Sequence, residues 1–193
     1  SMGIGLVDLQ VNRATKPDKK ALLAELIFAG VVYTTVFNPD DDRKNWWDII
    51  TAFCFAFKNQ KNATLILKIS HHSIMRFLNK FHFLLARIGH IKCRVVIMHG
   101  FLDEESFSHL IQNTTYYVNA SRCEGLCMPL MEYMAAGVPA IAVKNTAMED
   151  YFDEDCGFVV KSNPMPSTWP HDDRQLYRAI KYDVEWTSLV DGF

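Results

Sequence analysis

The sequence has no excess of positive charge. Its 193 residues include 20 Lys and Arg against 22 Asp and Glu, so the formal net charge is −2. A chain with this balance has no overall basic field to hold a nucleic-acid backbone or an anionic membrane surface, although a local basic patch remains open. We therefore expect no nucleic acid among its partners.

The cysteines do not form the framework of a small secreted domain. The chain has five, an odd number, scattered at positions 54, 93, 123, 127 and 156. Small disulfide-bonded domains usually have an even number at regular spacing. The cysteine pattern therefore favours a reducing compartment.

Long apolar runs and a leader sequence are also missing. The longest apolar stretch, residues 49–57, contains Thr51 and is far shorter than the roughly 20 residues that a transmembrane helix needs. The first three residues, Ser-Met-Gly, lack the basic segment and apolar core of a signal peptide and are typical of residues added for expression. The sequence thus predicts a cytoplasmic protein without a transmembrane segment. A peripheral position at the membrane is left open for a longer form of the protein.

Apolar and β-branched residues recur in a pattern that alternates strands with helices. Strands are predicted at residues 31–37, 64–69, 94–98, 115–118, 139–143 and 157–160. Helices are predicted between them, including residues 73–88, one that is opened by Asp103 and one that has Pro129 at its first position. This alternation predicts an α/β fold, a Rossmann-like doubly wound parallel sheet of about six strands with helices on both faces.

The regions on either side of this pattern carry weaker signals. Residues 1–29 are predicted to be a linker or expression-derived segment, with a short helix at 19–28. Residues 30–162 form the predicted α/β domain. Residues 163–193 are predicted to be a loop, because of Pro164, Pro166 and Pro170, followed by a helical tail.

In an open parallel sheet, ligands bind beyond the carboxyl ends of the strands. Two of the loops at these ends are rich in functional groups. The first has Arg43 and Lys44 at the beginning of a predicted helix, where a cation is unfavourable unless an anion is bound or nearby carboxylates offset it. One interpretation is therefore diphosphate binding. The alternative is that the aspartates at 40–42 neutralise the two cations on a solvated loop.

The second loop has two glutamates that are separated by seven residues. Glu124 lies in the loop next to Gly125, which allows a ligand to approach the backbone, and Glu132 lies in the helix that follows. A carboxylate pairs well with vicinal hydroxyls, because each oxygen can accept one hydrogen bond. Taken alone, this spacing also arises by chance in a chain with this many acids.

The whole segment is more specific than its two glutamates. Residues 124–142, EGLCMPLMEYMAAGVPAIA, closely resemble the signature of retaining family 4 (group 1) glycosyltransferases. The resemblance extends to residues 96–102, 117–121 and 150–160, and covers about residues 30 to 160. It implies the C-terminal donor-binding domain of the GT-B fold, which binds a nucleotide diphosphate-sugar.

The resemblance also implies what surrounds this domain in the enzyme. The sugar would go to a saccharide or lipid-linked acceptor held by an N-terminal domain that this chain lacks. The anomeric configuration would be retained, and no cofactor or metal would be needed. The isolated domain would be inactive, although the full-length protein would be a hexosyltransferase-type enzyme.

The family's functional residues carry over to positions of this sequence. Glu124 would contact the donor sugar near its anomeric carbon, and Glu132 would hold the ribose hydroxyls. Lys44, together with Arg43, would bind the diphosphate. The remaining donor contacts would come from the backbone at Gly125, Leu126, Cys127 and Met128, and the base would lie near His99, Gly100 and Phe101.

The sequence departs from the family pattern at two turns. The usual Gly-Arg after the first strand is replaced by Phe37-Asn38, so the arginine must come from Arg43 or be absent. The usual Gly-Asp-Gly turn after the second strand is replaced by residues 68–72, where Lys68 either supplies the lost charge or points to solvent. The adjacent His71 and His72 would point to opposite sides of an extended chain, which argues against a two-histidine metal site.

Other function classes are weighed against the glycosyltransferase. A dinucleotide dehydrogenase is disfavoured, because no Gly-x-Gly-x-x-Gly turn follows the first predicted strand. A non-catalytic Rossmann-like interaction module that kept the signature for its fold remains the alternative.

Overall fold

A computed structural model describes residues 28–71, 74–169 and 171–193, and the backbone of residues 4–8. Its main sheet has seven parallel strands in the order β1-β4-β3-β2-β5-β6-β7. The strands are β1 Ile4–Asp8, β2 Val31–Phe37, β3 Ala63–Ile69, β4 Arg94–His99, β5 Tyr116–Asn119, β6 Ala140–Val143 and β7 Gly157–Val160. The predicted Rossmann-like parallel sheet is confirmed, with all six expected strands. The strand order reverses between β2 and β5, which defines the switch point of the sheet.

The seventh strand, β1, corrects the prediction of a linker at the beginning of the chain. Ile4–Asp8 pairs in parallel with β4 at the edge of the sheet, with Ile4 opposite Val95. Five residues without a strong alternating pattern do not predict a strand. The extended structure of residues 4–8 therefore depends on pairing with β4. The helix predicted at 19–28 falls on residues that lie outside the described part of the chain, apart from Phe28.

Helices follow the strands as the alternation predicts. They are α1 Trp46–Ala56, α2 Met75–Ile88, α3 Glu104–Gln112, α4 Met128–Ala135 and α5 Trp186–Gly192, with short 3-10 helices at Asp42–Lys44 and Thr146–Asp150. Asp103 caps α3 as expected, because its side chain accepts a hydrogen bond from Ser106 N at 2.8 Å.

Both faces of the sheet are covered. Strand β4 shows this most directly, because successive residues of a strand point to opposite faces. Val95 and Ile97 belong to the larger apolar cluster, which also contains Phe53 of α1 and Phe77 of α2. Val96 and Met98 belong to a second cluster, with Val32, Ile66 and Leu110 of α3.

The prediction of a loop and helical tail at 163–193 is wrong over most of its length. Ser162–Thr168 (β8) and Tyr177–Val184 (β9) form an antiparallel hairpin. The prolines at 164 and 166 are two residues apart, so both can turn the ring away from the partner strand of a two-stranded ribbon. Only α5 is helical, and it packs on α1, where Trp186 Nε1 donates to Thr51 Oγ1 at 3.0 Å.

Candidate active site

The loops that follow β2 and β5 meet at the switch point of the sheet. After β2, the 3-10 helix Asp42–Lys44 begins at Asp41, whose side chain accepts from Arg43 N at 3.3 Å. Asn45 then adopts a left-handed conformation with φ of 51° and starts α1. This tight turn presents two consecutive cations at the carboxyl edge of the sheet.

The two cations converge on one carboxylate of the other loop. Arg43 Nη1 donates to Glu124 Oε2 at 2.6 Å, and Lys44 Nζ donates to Glu124 Oε1 at 2.5 Å. Arg43 also pairs through Nε with Asp41 Oδ2 at 2.9 Å. The structure therefore brings together Arg43, Lys44 and Glu124, three residues that the sequence predicted for one site. The chain separation of about 80 residues makes this convergence a property of the fold.

Burial differs among these three side chains. The side chain of Glu124 is 5% exposed, that of Lys44 15% and that of Arg43 38%. Burial by itself favours the neutral form of Glu124, but the hydrogen bonds and charges of Lys44 and Arg43 outweigh it and hold the pKa of Glu124 below its usual value. Burial likewise opposes the charge of Arg43, while its hydrogen bond to Glu124 raises the pKa of Arg43. Glu124 and Arg43 are therefore both charged at neutral pH.

Side chains that the sequence analysis did not single out support the Glu124 loop. Glu124 N donates to Thr146 Oγ1 at 2.9 Å. Asn145 Nδ2 donates to Ser121 O at 3.3 Å. Asn145 and Thr146 lie in the loop after β6, separated from it by Lys144, so the rule that ligands bind beyond strand ends selects them when it is applied to that strand. Asp41, which pairs with Arg43, lies in the loop after β2. The sequence indicates it only as one of three aspartates that could neutralise Arg43 and Lys44.

Gly125 lies in an open part of this loop. A Cβ at this position would have no atom within 4 Å, and Gly125 does not have a positive φ. Neither packing nor backbone conformation therefore requires a glycine here. Next to it, the carbonyl of Leu126 accepts from Tyr151 OH at 2.5 Å, which holds the loop against the segment after β6.

The loop enters α4 through a left-handed residue. Cys127 has φ of 57° and is buried, and burial raises the pKa of its thiol to about 11. Met128, the first residue of α4, is exposed, and Pro129 follows it in the first turn, one position later than predicted. A protonated, buried thiol serves as a packing group.

Glu132 lies in α4 and is exposed. Within the described residues, no ion pair involves its carboxylate. The two glutamates of the motif thus differ, because Glu124 is buried between cations and Glu132 is available to solvent.

Lys68 occupies a separate position at the end of β3. Its side chain is 2% exposed, so the alternative in which it points to solvent is wrong. Lys68 Nζ donates to the carbonyl of Gly100 and, at 3.0 Å, to Ser70 Oγ, and burial lowers the pKa of Lys68 to about 8. His99 Nε2 lies 2.8 Å from His71 O, and Phe101 is 75% exposed. Of the three residues predicted near the base, Gly100 is therefore the one that Lys68 contacts directly.

The described residues also bear on a membrane or a metal ion as partners. No helix in this part of the chain is long and apolar enough to cross a membrane. No group of three or more His, Cys, Asp or Glu among the same residues is arranged to hold a metal ion. His72, one of the two adjacent histidines, lies outside the described residues.

Residues 91–169 match the family model of glycosyl transferases group 1. The matched segment contains Glu124, Glu132 and residues 99–101, whereas Arg43, Lys44 and Lys68 precede it. Over this segment, the match agrees with the resemblance to group 1 glycosyltransferases. A search of curated proteins gave no match to the sequence.

Solved structures similar to the chain include parts of glycosyltransferases. The C-terminal domain of the group 1 glycosyl transferase LpcC from Francisella tularensis is 22% identical, with a TM-score of 0.57 and 80% of each chain covered. Anabaena HepE in complex with UDP and glucose is 16% identical, with a TM-score of 0.53, over 72% of this chain and 37% of HepE. The α,α-trehalose 6-phosphate synthase of Burkholderia multivorans is 12% identical, with a TM-score of 0.56, over 71% of this chain and 32% of the synthase. At these identities the likeness concerns the fold, and the chain spans about a third of the two larger proteins.

Proposed function

We propose that this chain is the donor-binding part of a retaining glycosyltransferase, which transfers a sugar from a nucleotide diphosphate-sugar to a saccharide or lipid-linked acceptor. The observation that carries the proposal is the convergence of Arg43 and Lys44 on Glu124 at the switch point of the sheet. The match of residues 91–169 to the group 1 family supports it independently.

The two cations suit a diphosphate. The contacts of Arg43 within the described residues use Nε and Nη1, so the Nη2 donors are available to an anion. Arg43 thereby replaces the family arginine that is missing after β2. The ammonium of Lys44 stabilises the negative charge that develops on the leaving diphosphate, and each charge-assisted hydrogen bond contributes about 1.5 to 3 kcal/mol.

The two glutamates take different roles. Glu124, which the cations hold in its ionised form, lies where the donor sugar meets the diphosphate and acts on the sugar near its anomeric carbon. Glu132, exposed on α4, accepts hydrogen bonds from the ribose hydroxyls. Open space at Gly125 lets the backbone of residues 125–128 approach the sugar.

The acceptor side of the reaction belongs to a further domain. The chain spans about a third of HepE and of the trehalose 6-phosphate synthase, whose sizes leave room for a second domain that forms the other wall of a cleft. We therefore expect the isolated chain to bind a donor without transferring its sugar.

Isothermal titration of the 193-residue chain with UDP, GDP and ADP tests the proposal. We expect one of these nucleotides to bind and Lys44→Ala to weaken it about ten- to a hundredfold, because one charge-assisted hydrogen bond is lost. Glu132→Ala should weaken it about tenfold. Lys80→Ala, at an exposed position of α2, is the control and should bind like the unchanged chain. Absence of binding by all three nucleotides and their common sugar donors at millimolar concentration would favour the non-catalytic interaction module.

A further inference from the structure

The β8–β9 hairpin is joined to the candidate site through the backbone. Tyr182 N, in β9, donates to Arg122 O at 2.8 Å, and Arg122 N donates to Arg43 O at 2.7 Å. Asn145 Nδ2 adds a contact to Ser162 Oγ at 3.3 Å, where β8 begins. The base of the hairpin is therefore fixed to the two loops that carry the cations and Glu124.

Beyond this base, the hairpin holds an open groove of about 470 Å³. Its lining includes Met165, Ser167, Thr168, Gln175, Tyr177 and Lys181. Tyr177 is five residues from Tyr182, so it lies about 17 Å along the strand from the contact with Arg122. The groove is thus outside the donor site but on an element that starts beside it.

The lining combines a bare aromatic ring with hydrogen-bonding groups. Tyr177 is 76% exposed, and Met165, which also lines the groove opposite Lys181, is 38% exposed, so folding leaves much of this apolar surface uncovered. The other lining groups are two hydroxyls, an amide and the ammonium of Lys181. Ser167 Oγ donates to Thr168 O, Thr168 Oγ1 to Gln175 Oε1 and Gln175 Nε2 to Asp172 O. The hydroxyl oxygens keep acceptor capacity for a ligand, and the amide and ammonium keep further N–H donors. A sugar ring has the complementary surface, with an apolar C–H face that stacks on an aromatic ring and a rim of hydroxyls.

Charge argues against an anionic membrane as the occupant. Residues 161–185 contain four Lys and Arg and four Asp and Glu, so the hairpin has no net positive charge to attract acidic lipids. A sugar chain needs no such charge, because its hydroxyls bind neutral and charged side chains alike.

We propose that the hairpin groove binds the distal sugars of an oligosaccharide acceptor, whose reacting end extends to the candidate site. That the bound saccharide is the acceptor rests on the proposed function, whereas saccharide binding in the groove does not. The hairpin would thereby give this domain its own part in acceptor choice, in addition to whatever a second domain provides.

The test is binding of the 193-residue chain to an array of immobilised bacterial and plant oligosaccharides, followed by titration of the strongest binder in solution. We expect Tyr177→Ala to weaken binding at least tenfold and Tyr177→Phe to preserve it, because the ring supplies the stacking surface. Trp169→Ala is the matched control, since Trp169 is an exposed aromatic residue of the hairpin that does not line the groove, and it should preserve binding. Unchanged thermal midpoints will show that the variants are folded.

Several outcomes overturn the groove as a saccharide site. They are no binding to any oligosaccharide, equal losses in Tyr177→Ala and Trp169→Ala, and binding only to phosphatidylcholine–phosphatidylglycerol vesicles or to a second copy of the chain. A UDP, GDP and ADP titration of the same preparation separates this proposal from the proposed function. Nucleotide binding without oligosaccharide binding refutes the groove alone, and the reverse result refutes the donor site alone.

Discussion

The carboxyl edge of the sheet has two cationic sites that are built in opposite ways. At the switch point, Arg43 and Lys44 share the carboxylate of Glu124 and stay partly exposed. At the end of β3, Lys68 is buried and donates to two neutral oxygens, those of Gly100 and Ser70. Within the described residues, no carboxylate pairs with Lys68.

In the first site the charges are paired and reach solvent, whereas in the second site burial opposes the charge of Lys68. Paired, partly exposed charges can exchange their partners for a bound anion at modest cost, because solvent and the carboxylate already stabilise them. A buried lysine without a carboxylate is favoured in its neutral form and lowers the stability of the fold when it is charged. Three substitutions test this contrast.

The largest effect is expected at Lys68. Its pKa is lowered from 10.5 to about 8, so the unfolded chain holds this proton at pH values where the folded chain has released it. Stability should therefore rise as the pH increases from about 8 to 10.5, by about 3 kcal/mol from this group alone. Lys68→Met should lose this rise, as measured by urea unfolding across that pH range.

Lys80→Met is the control for this measurement, because Lys80 is exposed on α2. It should keep the pH dependence of the unchanged chain, which includes the titration of all other lysines and tyrosines. If Lys68→Met keeps the full increase in the free energy of unfolding between about pH 8 and 10.5, burial does not destabilise the charged form of Lys68, and the contrast between the two sites is wrong.

A smaller effect is expected at Glu124. Glu124→Gln removes the charge that Arg43 and Lys44 share, and should lower the free energy of unfolding at pH 7 by about 1 to 2 kcal/mol, less than for a fully buried pair because both cations reach solvent. The pKa of Glu124 is lowered in the fold, so its contribution is present at neutral pH and is lost as the pH falls below about 4. The difference between the two proteins should shrink in that range.

Glu132→Gln is the matched control for Glu124→Gln. The substitution is the same and lies in the same motif, but Glu132 is exposed. We expect a change in the free energy of unfolding within about 0.5 kcal/mol at pH 7. Equal losses at both positions would contradict the view that only Glu124 is held by the cations.

The smallest effect on stability is expected at Gly125. Gly125→Ala places a methyl group in open space, so the free energy of unfolding should change by less than about 0.5 kcal/mol. Nucleotide-sugar binding should weaken at least tenfold, because a ligand that approaches the backbone would meet the methyl group. Gly157→Ala is the opposite case, since its Cβ would lie 1.9 Å from Ala140 O and should destabilise the fold. Unchanged donor binding by Gly125→Ala would show that the ligand does not contact this part of the loop.

Most of the sheet could be predicted from the sequence because its strands are buried on both faces. Continuous β-branched and aromatic runs such as residues 31–37 leave little choice of structure, and the observed strand Val31–Phe37 has the predicted bounds. The edge strand β1 and the hairpin lack this signal. Leu176, just before β9, has a helical spacing with Tyr177 and Ile180 of that strand, but pairing with β8 overrides this pattern.

The candidate site was predictable in its members and not in its contacts. Strand ends and residue type suffice to select Arg43, Lys44 and Glu124, because carboxyl ends of parallel strands share one edge. The pairing of cations with carboxylates depends on the 3-10 turn at Asp42–Lys44 and on the left-handed backbone of Asn45. No sequence pattern predicts that backbone conformation. The position of Lys68 could not be predicted either, because the sequence does not distinguish a buried lysine from one that points to solvent.

The contact between Phe193 and Tyr33 has a consequence for how the protein forms during synthesis. Tyr33 OH donates to Phe193 O across 160 residues, and the ring of Phe193 packs against those of Tyr33, Phe53 and Phe57. The aromatic cluster beside β2 therefore stays incomplete on the ribosome until residue 193 has emerged. The rings of the early-made segments therefore stay uncovered until a residue that follows Tyr33 by 160 positions has been made, and uncovered apolar surface favours aggregation during synthesis.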